Sequence, residues 1–185
     1  MTLIELLVVV AIAAIMLAMA APALGLFVEN AQIDQTSGML LSSFNYARNK
    51  AIDLGVTVGV CPVAGAALAG GSAGTTCLGQ FQPGAGTSAS WMVYRFKPGS
   101  QTIVPMALYN APASYGLGLH PAGFSSLQGL SFSPIGTVNA SGQIAICDRR
   151  GNAAGAMVAV AANGMVSVSP SRGEDAYGQP LSACP

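Results

Sequence analysis

The sequence predicts an α+β chain: one long N-terminal α-helix packed on a mainly antiparallel β-sheet head. Three observations predict it. An uncharged run from Leu6 to Val28 leads into a stretch with amphipathic helical period. After Gly55 the apolar pattern becomes that of short strands and stays so to the C terminus. All four cysteines, Cys61, Cys77, Cys147 and Cys184, lie in that second part. One helical region followed only by strands argues for segregated layers and not for alternating helices and strands.

Composition narrows the class. Of 185 residues, 52% are hydrophobic and only 8% charged, where a soluble domain carries about 25% charge. Seven basic and seven acidic residues give a formal net charge of zero. There is no basic field to attract nucleic acid and no acidic tail. The 23 glycines predict a loop-rich head, and a weakly charged surface suits one that packs against neighbours. Three parts are expected: residues 1–27, the hydrophobic half of the helix; residues 28–54, its amphipathic half; and residues 55–185, the head. The head is long enough for one compact domain with its own core.

The run Leu6–Val28 can cross a hydrocarbon layer of about 30 Å as a helix. It is no ordinary signal peptide, because Met1 to Glu5 contains no Lys or Arg. The positive-inside flank is missing too. Both absences fit a short basic leader already removed, with Met1 then the first residue of a processed chain. Glu5 is the most informative residue. A carboxylate at the bilayer centre costs roughly 2.5–3.5 kcal/mol, less near the edge, so it needs a partner. One partner is the α-amino group of Met1, in the same or a neighbouring chain. The plainer alternative is a favourable place at the positive end of the helix dipole. Pro22 removes a backbone donor and crowds the preceding turn, which predicts a kink there, and Gly25 adds a second weak point.

Further along, Leu26, Ile33, Leu40, Phe44, Ala47, Ala51 and Leu54 recur at spacings of one helical face. Gly55 is the expected stop, with Arg48 and Lys50 near the negative end. Strands are expected at 56–60 leading into Cys61, at 91–96, 103–109, 127–132, 143–147, 156–161 and 165–168, with Gly, Pro and Asn between them. Four cysteines in an exported chain read as two disulfides, with three pairings open. No CxxC or Cys/His cluster occurs, so no metal site is expected.

Thr2-Leu3-Ile4-Glu5-Leu6-Leu7-Val8-Val9-Val10-Ala11-Ile12 closely resembles the start of type IV pilins and type II secretion pseudopilins. The resemblance implies cleavage after a glycine and N-methylation of the first residue, with Met1 where Phe is usual. It also implies a proline in the helix, which Pro22 supplies. The head narrows it. Tyr46-Ala47-Arg48-Asn49-Lys50-Ala51-Ile52, Val60-Cys61-Pro62, Trp91-Met92-Val93-Tyr94 and Ile146-Cys147-Asp148-Arg149-Arg150-Gly151 are similar to the GspH/FimT family of minor pilins and minor pseudopilins. That likeness implies the pairs Cys61–Cys77 and Cys147–Cys184, each worth roughly 3–4 kcal/mol on the loop-entropy model.

The resemblance implies a structural subunit of a type IV pilus-like filament, held in the inner membrane before assembly and extracellular afterwards. Prepilin peptidase, an assembly platform and other pilins are the implied partners. The alternatives are a minor subunit that primes or caps a pilus or a periplasmic secretion pseudopilus, and a DNA-binding subunit for uptake. The stretch 163–169, where DNA-binding members carry basic residues, has none, which argues against DNA because phosphate contacts need cations. No enzyme is expected and no cofactor. His120 is the one histidine, read as a solvent-facing loop residue, and four oxidised cysteines offer no nucleophile. The glycine run 65–74 lacks the Lys-Ser/Thr ending of a phosphate loop. Asp148, Arg149 and Arg150 read as a polar turn. Glu174 and Asp175 could help hold calcium in a loop, though two acids alone are a weak signal, and Asn139-Ala140-Ser141 is a weak glycosylation signal.

Overall fold

The structure is a computed structural model and describes all residues except 1, 64–76, 78–89, 101, 112–115, 123–129 and 185; the side chains of residues 19–23 and 122 are also outside the description. The chain divides into two compact units, Met1–Gln32 and Ile33–Pro185. Helix α1, Leu3–Leu54, belongs partly to each.

In the second unit α1 is followed by β1 (Val58–Val63), β2 (Ser90–Phe96), β3 (Ile103–Asn110), β4 (Gly118–Ala122), β5 (Leu130–Phe132), β6 (Gly142–Cys147), β7 (Ala156–Val160) and β8 (Val166–Val168). The strands form two four-stranded sheets and not one. The first has the order β3-β2-β1-β5 and the second β4-β6-β7-β8. Every pairing is antiparallel, as expected of sequential strands joined without crossover helices.

Period-two alternation assigns the faces. Val58 and Val60 of β1 and Trp91 and Val93 of β2 join the main core, while Cys61, Val63, Met92 and Tyr94 form a separate cluster. The second sheet repeats the pattern. Ile144, Ile146, Ala156, Val158 and Val160 face the main core; Ala145, Cys147 and Met157 cluster apart with Leu181 and Cys184. Helix residues Ile33, Leu40, Phe44, Ala47 and Ala51 complete the main core and are fully buried. Each sheet therefore has one face on the helix and, on the other, a separate apolar cluster that includes a disulfide.

The helical stripe is shorter than its sequence pattern. Leu26 and Leu54, its two ends, are 56% and 50% exposed. Between them, four polar residues are buried: Glu29, Thr36, Ser37 and Ser43. Ser43 explains its own place. It accepts a hydrogen bond from Trp91 Nε1 (2.9 Å) and donates one to the Leu40 carbonyl (2.9 Å). A buried hydroxyl and a buried indole thereby satisfy each other.

One strand was not legible as such. β4 contains His120, which pairs with Ala145 across the sheet. His120 is thus a half-buried strand residue and not a loop one. At β1, Gly59 lies opposite Tyr94, whose ring occupies the space a Cβ on Gly59 would need (2.3 Å from Tyr94 Cζ). The aromatic ring covers the bare glycine, and burial raises the Tyr94 hydroxyl above its ordinary pKa.

Candidate assembly segment and head surface

In the first unit the large apolar side chains from Leu3 to Leu17 are exposed, each by at least 52%. They surround the helix instead of marking one stripe, the pattern of a helix that meets lipid or other helices on all sides. Among the described residues no helix is long and apolar enough to cross a membrane. The uncharged run Leu6–Val28 includes residues 19–23, whose side chains lie outside the description.

Glu5 sits in the first turn of α1. Its carboxylate Oε2 accepts from the Thr2 amide at 3.4 Å, while Glu5 N and Leu6 N donate to the Thr2 carbonyl. Thr2-Leu3-Ile4-Glu5 has the Thr-x-x-Glu spacing of a capping box, and Glu5 returns the bond in the way an N3 acid does. The carboxylate is solvent-exposed and has a local donor as well as its place at the positive helix end. Met1 lies outside the described residues, and so does the side chain of Pro22; neither the terminal amine nor a proline kink is described.

In the second unit both disulfides join the expected partners. Cys61 pairs with Cys77 and Cys147 with Cys184, with Cα atoms 5.5 and 5.7 Å apart. Cys61 and Cys77 lie in the outer cluster of the first sheet, Cys147 and Cys184 in that of the second. The Cys147–Cys184 bridge fastens the C-terminal segment, with Leu181, to the outer face of the second sheet.

Arg48 does more than complement the helix end. The last helical turn has no basic residue. Arg48 Nε donates to the Gly136 carbonyl (3.2 Å) and its Nη2 to the Asn163 carbonyl (3.5 Å). One guanidinium thus ties two turns, 133–136 and 161–164, to the helix. The turns are in close contact: Gly164, at φ 75°, would place a Cβ only 1.9 Å from the Gly136 oxygen. Only glycine satisfies both the left-handed backbone and that approach. Sequence reasoning missed this clamp; an arginine two turns before the helix end, with no acid within reach on its own face, was the available signal.

The remaining charges are mostly committed. Asp148 is buried and accepts from Arg150 N (2.8 Å), Nε (2.8 Å) and Nη2 (2.6 Å). This is the polar turn expected after Cys147, closed by a forked ion pair. Arg172 pairs with Asp34 at 2.5 Å. Lys50 is 3.9 Å from Asp53. Asp175 Oδ1 accepts from Tyr177 N and Gln179 N and shapes its own loop. Among the described residues no group of three or more His, Cys, Asp or Glu could hold a metal ion.

The family model described as type II transport protein GspH matches residues 38–164. The chain belongs to the GspH family. The matched part of this GspH-family chain contains strands β1 to β7, the Arg48 clamp and three of the four cysteines. Among solved structures, the Pseudomonas aeruginosa (strain PAO1) type IV minor pilin FimU in space group P21 aligns with a TM-score of 0.54. The alignment is 16% identical and covers 78% of this chain and 92% of FimU. The P65 crystal form of FimU gives a TM-score of 0.49 at 14% identity, covering 74% and 92%. At such identity the likeness shows the fold: a long N-terminal helix followed by antiparallel sheets. No curated protein matches the chain. The GspH-family chain is thus pilin-like in fold.

Proposed function

We propose that the chain is a non-enzymatic minor subunit of a type IV pilus-like filament, held in the inner membrane until assembly. The observation that carries this reading is the uncovered apolar helix from Leu3 to Leu17. A stable aqueous monomer does not expose that much contiguous apolar surface. Lipid covers it before assembly, and the helices of sister subunits cover it afterwards. Two disulfides support a head that folds in an oxidising compartment. The FimU likeness, to a protein described as a type IV minor pilin, favours a minor over a major role. Prepilin peptidase, the assembly platform and other pilins are the partners this reading requires. Glu5 would pair with the Met1 ammonium of a neighbour, offsetting the desolvation of both and setting axial register. Pro22 would loosen the helix where subunits are bundled.

The test is shearing of surface filaments from cells that express the chain, followed by quantitative mass spectrometry. The expected result is co-sedimentation with filaments at a small fraction of the main subunit. Absence from every filament preparation would overturn the reading, and dominance of this chain would make it the major subunit. DNA binding is disfavoured: Arg150 and Arg172 are paired with carboxylates, Arg48 is tied to carbonyls, and β8 carries no cation.

A further inference from the structure

The second unit has an open groove between the β6–β7 strands and the C-terminal segment, with a volume of about 420 Å³. That lies within the roughly 300–1,000 Å³ of small-ligand sites. Gln143 of β6, Asp175, Tyr177 and Ser182 supply polar groups, and Met157 and Val160 of β7 add apolar surface. The fold uses little of this polarity. The Gln143 amide, the Tyr177 hydroxyl and the Ser182 hydroxyl have no hydrogen-bond partner among the described residues. Asp175 is fixed in place through Oδ1, and its Oδ2 has no donor among the described residues.

The loop that presents Tyr177 is built to stay in shape. Asp175 N donates to the Gln179 carbonyl (2.7 Å), Gly178 N to the Asp175 carbonyl (3.2 Å), and Glu174 bridges Pro180. At its tip the Tyr177 ring is 74% exposed. A large aromatic side chain held in water by a closed turn gains nothing for the fold.

The ligand class follows from what the groove offers and lacks. No Lys or Arg is among its described lining residues, so an anion would be desolvated without compensation. Its mix of carboxylate, amide and hydroxyls is too polar for an alkyl chain. A pyranose fits both halves. Its hydroxyls are donors and acceptors together, matching a carboxylate that only accepts and an amide that does both. A hydroxyl donating to the ionised carboxylate makes the stronger, charge-assisted kind of bond. The sugar's C–H face carries slight positive charge and suits the negative face of an aromatic ring. We propose that the groove bounded by Gln143, Asp175 and Tyr177 binds a neutral saccharide. This surface belongs to the head and is independent of how the helix assembles.

The experiment applies the full-length chain, in a zwitterionic detergent without a sugar headgroup, to an array of neutral, sialylated and sulfated oligosaccharides. Saturation-transfer NMR on the retained sugars follows. The expected result is retention of at least one neutral saccharide, with Tyr177→Ala and Gln143→Ala each lowering affinity tenfold or more. Tyr177→Phe should keep most of the binding, because the ring face is retained. Intact-mass analysis without reductant verifies that both disulfides form in each variant. Retention of no neutral saccharide, retention of anionic sugars only, or binding that survives both alanine variants would overturn the proposal. Filament incorporation of the same variants should be normal, which separates this inference from the assembly role.

Discussion

Leu7 and Phe44 lie on the same helix and are both strongly apolar, yet one is 61% exposed and the other is fully buried. The contrast holds along both units. Large apolar residues from Leu3 to Leu17 stay exposed among the described residues, while Ile33, Leu40 and Phe44 are covered completely. The difference teaches that helical propensity and hydrophobicity do not decide burial; period does. In the first unit apolar residues come all round and call for an apolar solvent. In the second they alternate with polar ones and select a single face for the sheets. The first unit is hydrophobic for other molecules, the second for itself.

The largest expected effect strikes the second side of this comparison. Phe44→Ala should destabilise the head by about 3–5 kcal/mol, the usual loss for emptying a buried aromatic site. Leu7→Ala should leave head stability within about 0.5 kcal/mol, as surface changes do. Urea unfolding of the detergent-solubilised chain measures both, because the one tryptophan, Trp91, is fully buried and reports on the head. Equal losses in the two variants would break the comparison.

A smaller effect tests the polar residue within the buried stripe. Ser43→Ala leaves the Trp91 indole N–H buried without its acceptor, at an expected cost of about 1–3 kcal/mol. Ser42→Ala, one position round the helix on the exposed side, should cost far less. If the two variants unfold at the same urea concentration, the indole bond adds nothing.

How much of this was legible depends on which interaction wrote the pattern. Period alone located the buried stripe from Ile33 to Ala51 and seven of the eight strands, because burial on one face constrains residue type. The covered serine at position 43 was overlooked because its reason, Trp91, is remote in sequence. β4 was hidden by Gly116, Gly118 and Pro121, which read as loop punctuation; Pro121 is tolerated because β4 is an edge strand. The division into two sheets could not be read from strand count, since it depends on β5 adding to β1 and not to β4. The disulfide pairs came from family likeness, as cysteine spacing allows three pairings. In the first unit, the Thr2-x-x-Glu5 capping box was plain in sequence, but the charge of Glu5 drew attention away from its geometry.

His120 offers a finer probe of the head. Burial lowers its pKa from the ordinary value of 6.5. The folded chain therefore resists a proton that the unfolded chain accepts near pH 6.5. The stability at stake is fully present above about pH 6.5 and is lost as pH falls toward the folded-state pKa. The effect should be small, because the imidazole is only half-buried. The urea midpoint should fall slightly between pH 7.5 and pH 5.5, and His120→Gln should remove that fall. A pH dependence unchanged in the variant would place the titrating group elsewhere.

The smallest effect on folding, and the sharpest test of the first unit, concerns Glu5. Two roles are open to its carboxylate. As the acid of a capping box it holds the Thr2 amide and steadies the first helical turn. As a charge it would attract the terminal ammonium of a neighbouring subunit at the same depth. Substitution separates the two. Glu5→Gln keeps the capping geometry, since glutamine serves at N3 as glutamate does, but removes the charge. Glu5→Leu removes both and makes the segment more apolar. Neither touches the core of the head, so both variants should form both disulfides and unfold at the wild-type urea concentration. If charge pairing sets subunit register, both should be nearly absent from sheared filaments in cells lacking the wild-type chain. If capping is the whole role, Glu5→Gln should assemble at normal yield and only Glu5→Leu should fail. Normal assembly of Glu5→Leu would exclude both roles and leave register to the apolar helix surface and the heads.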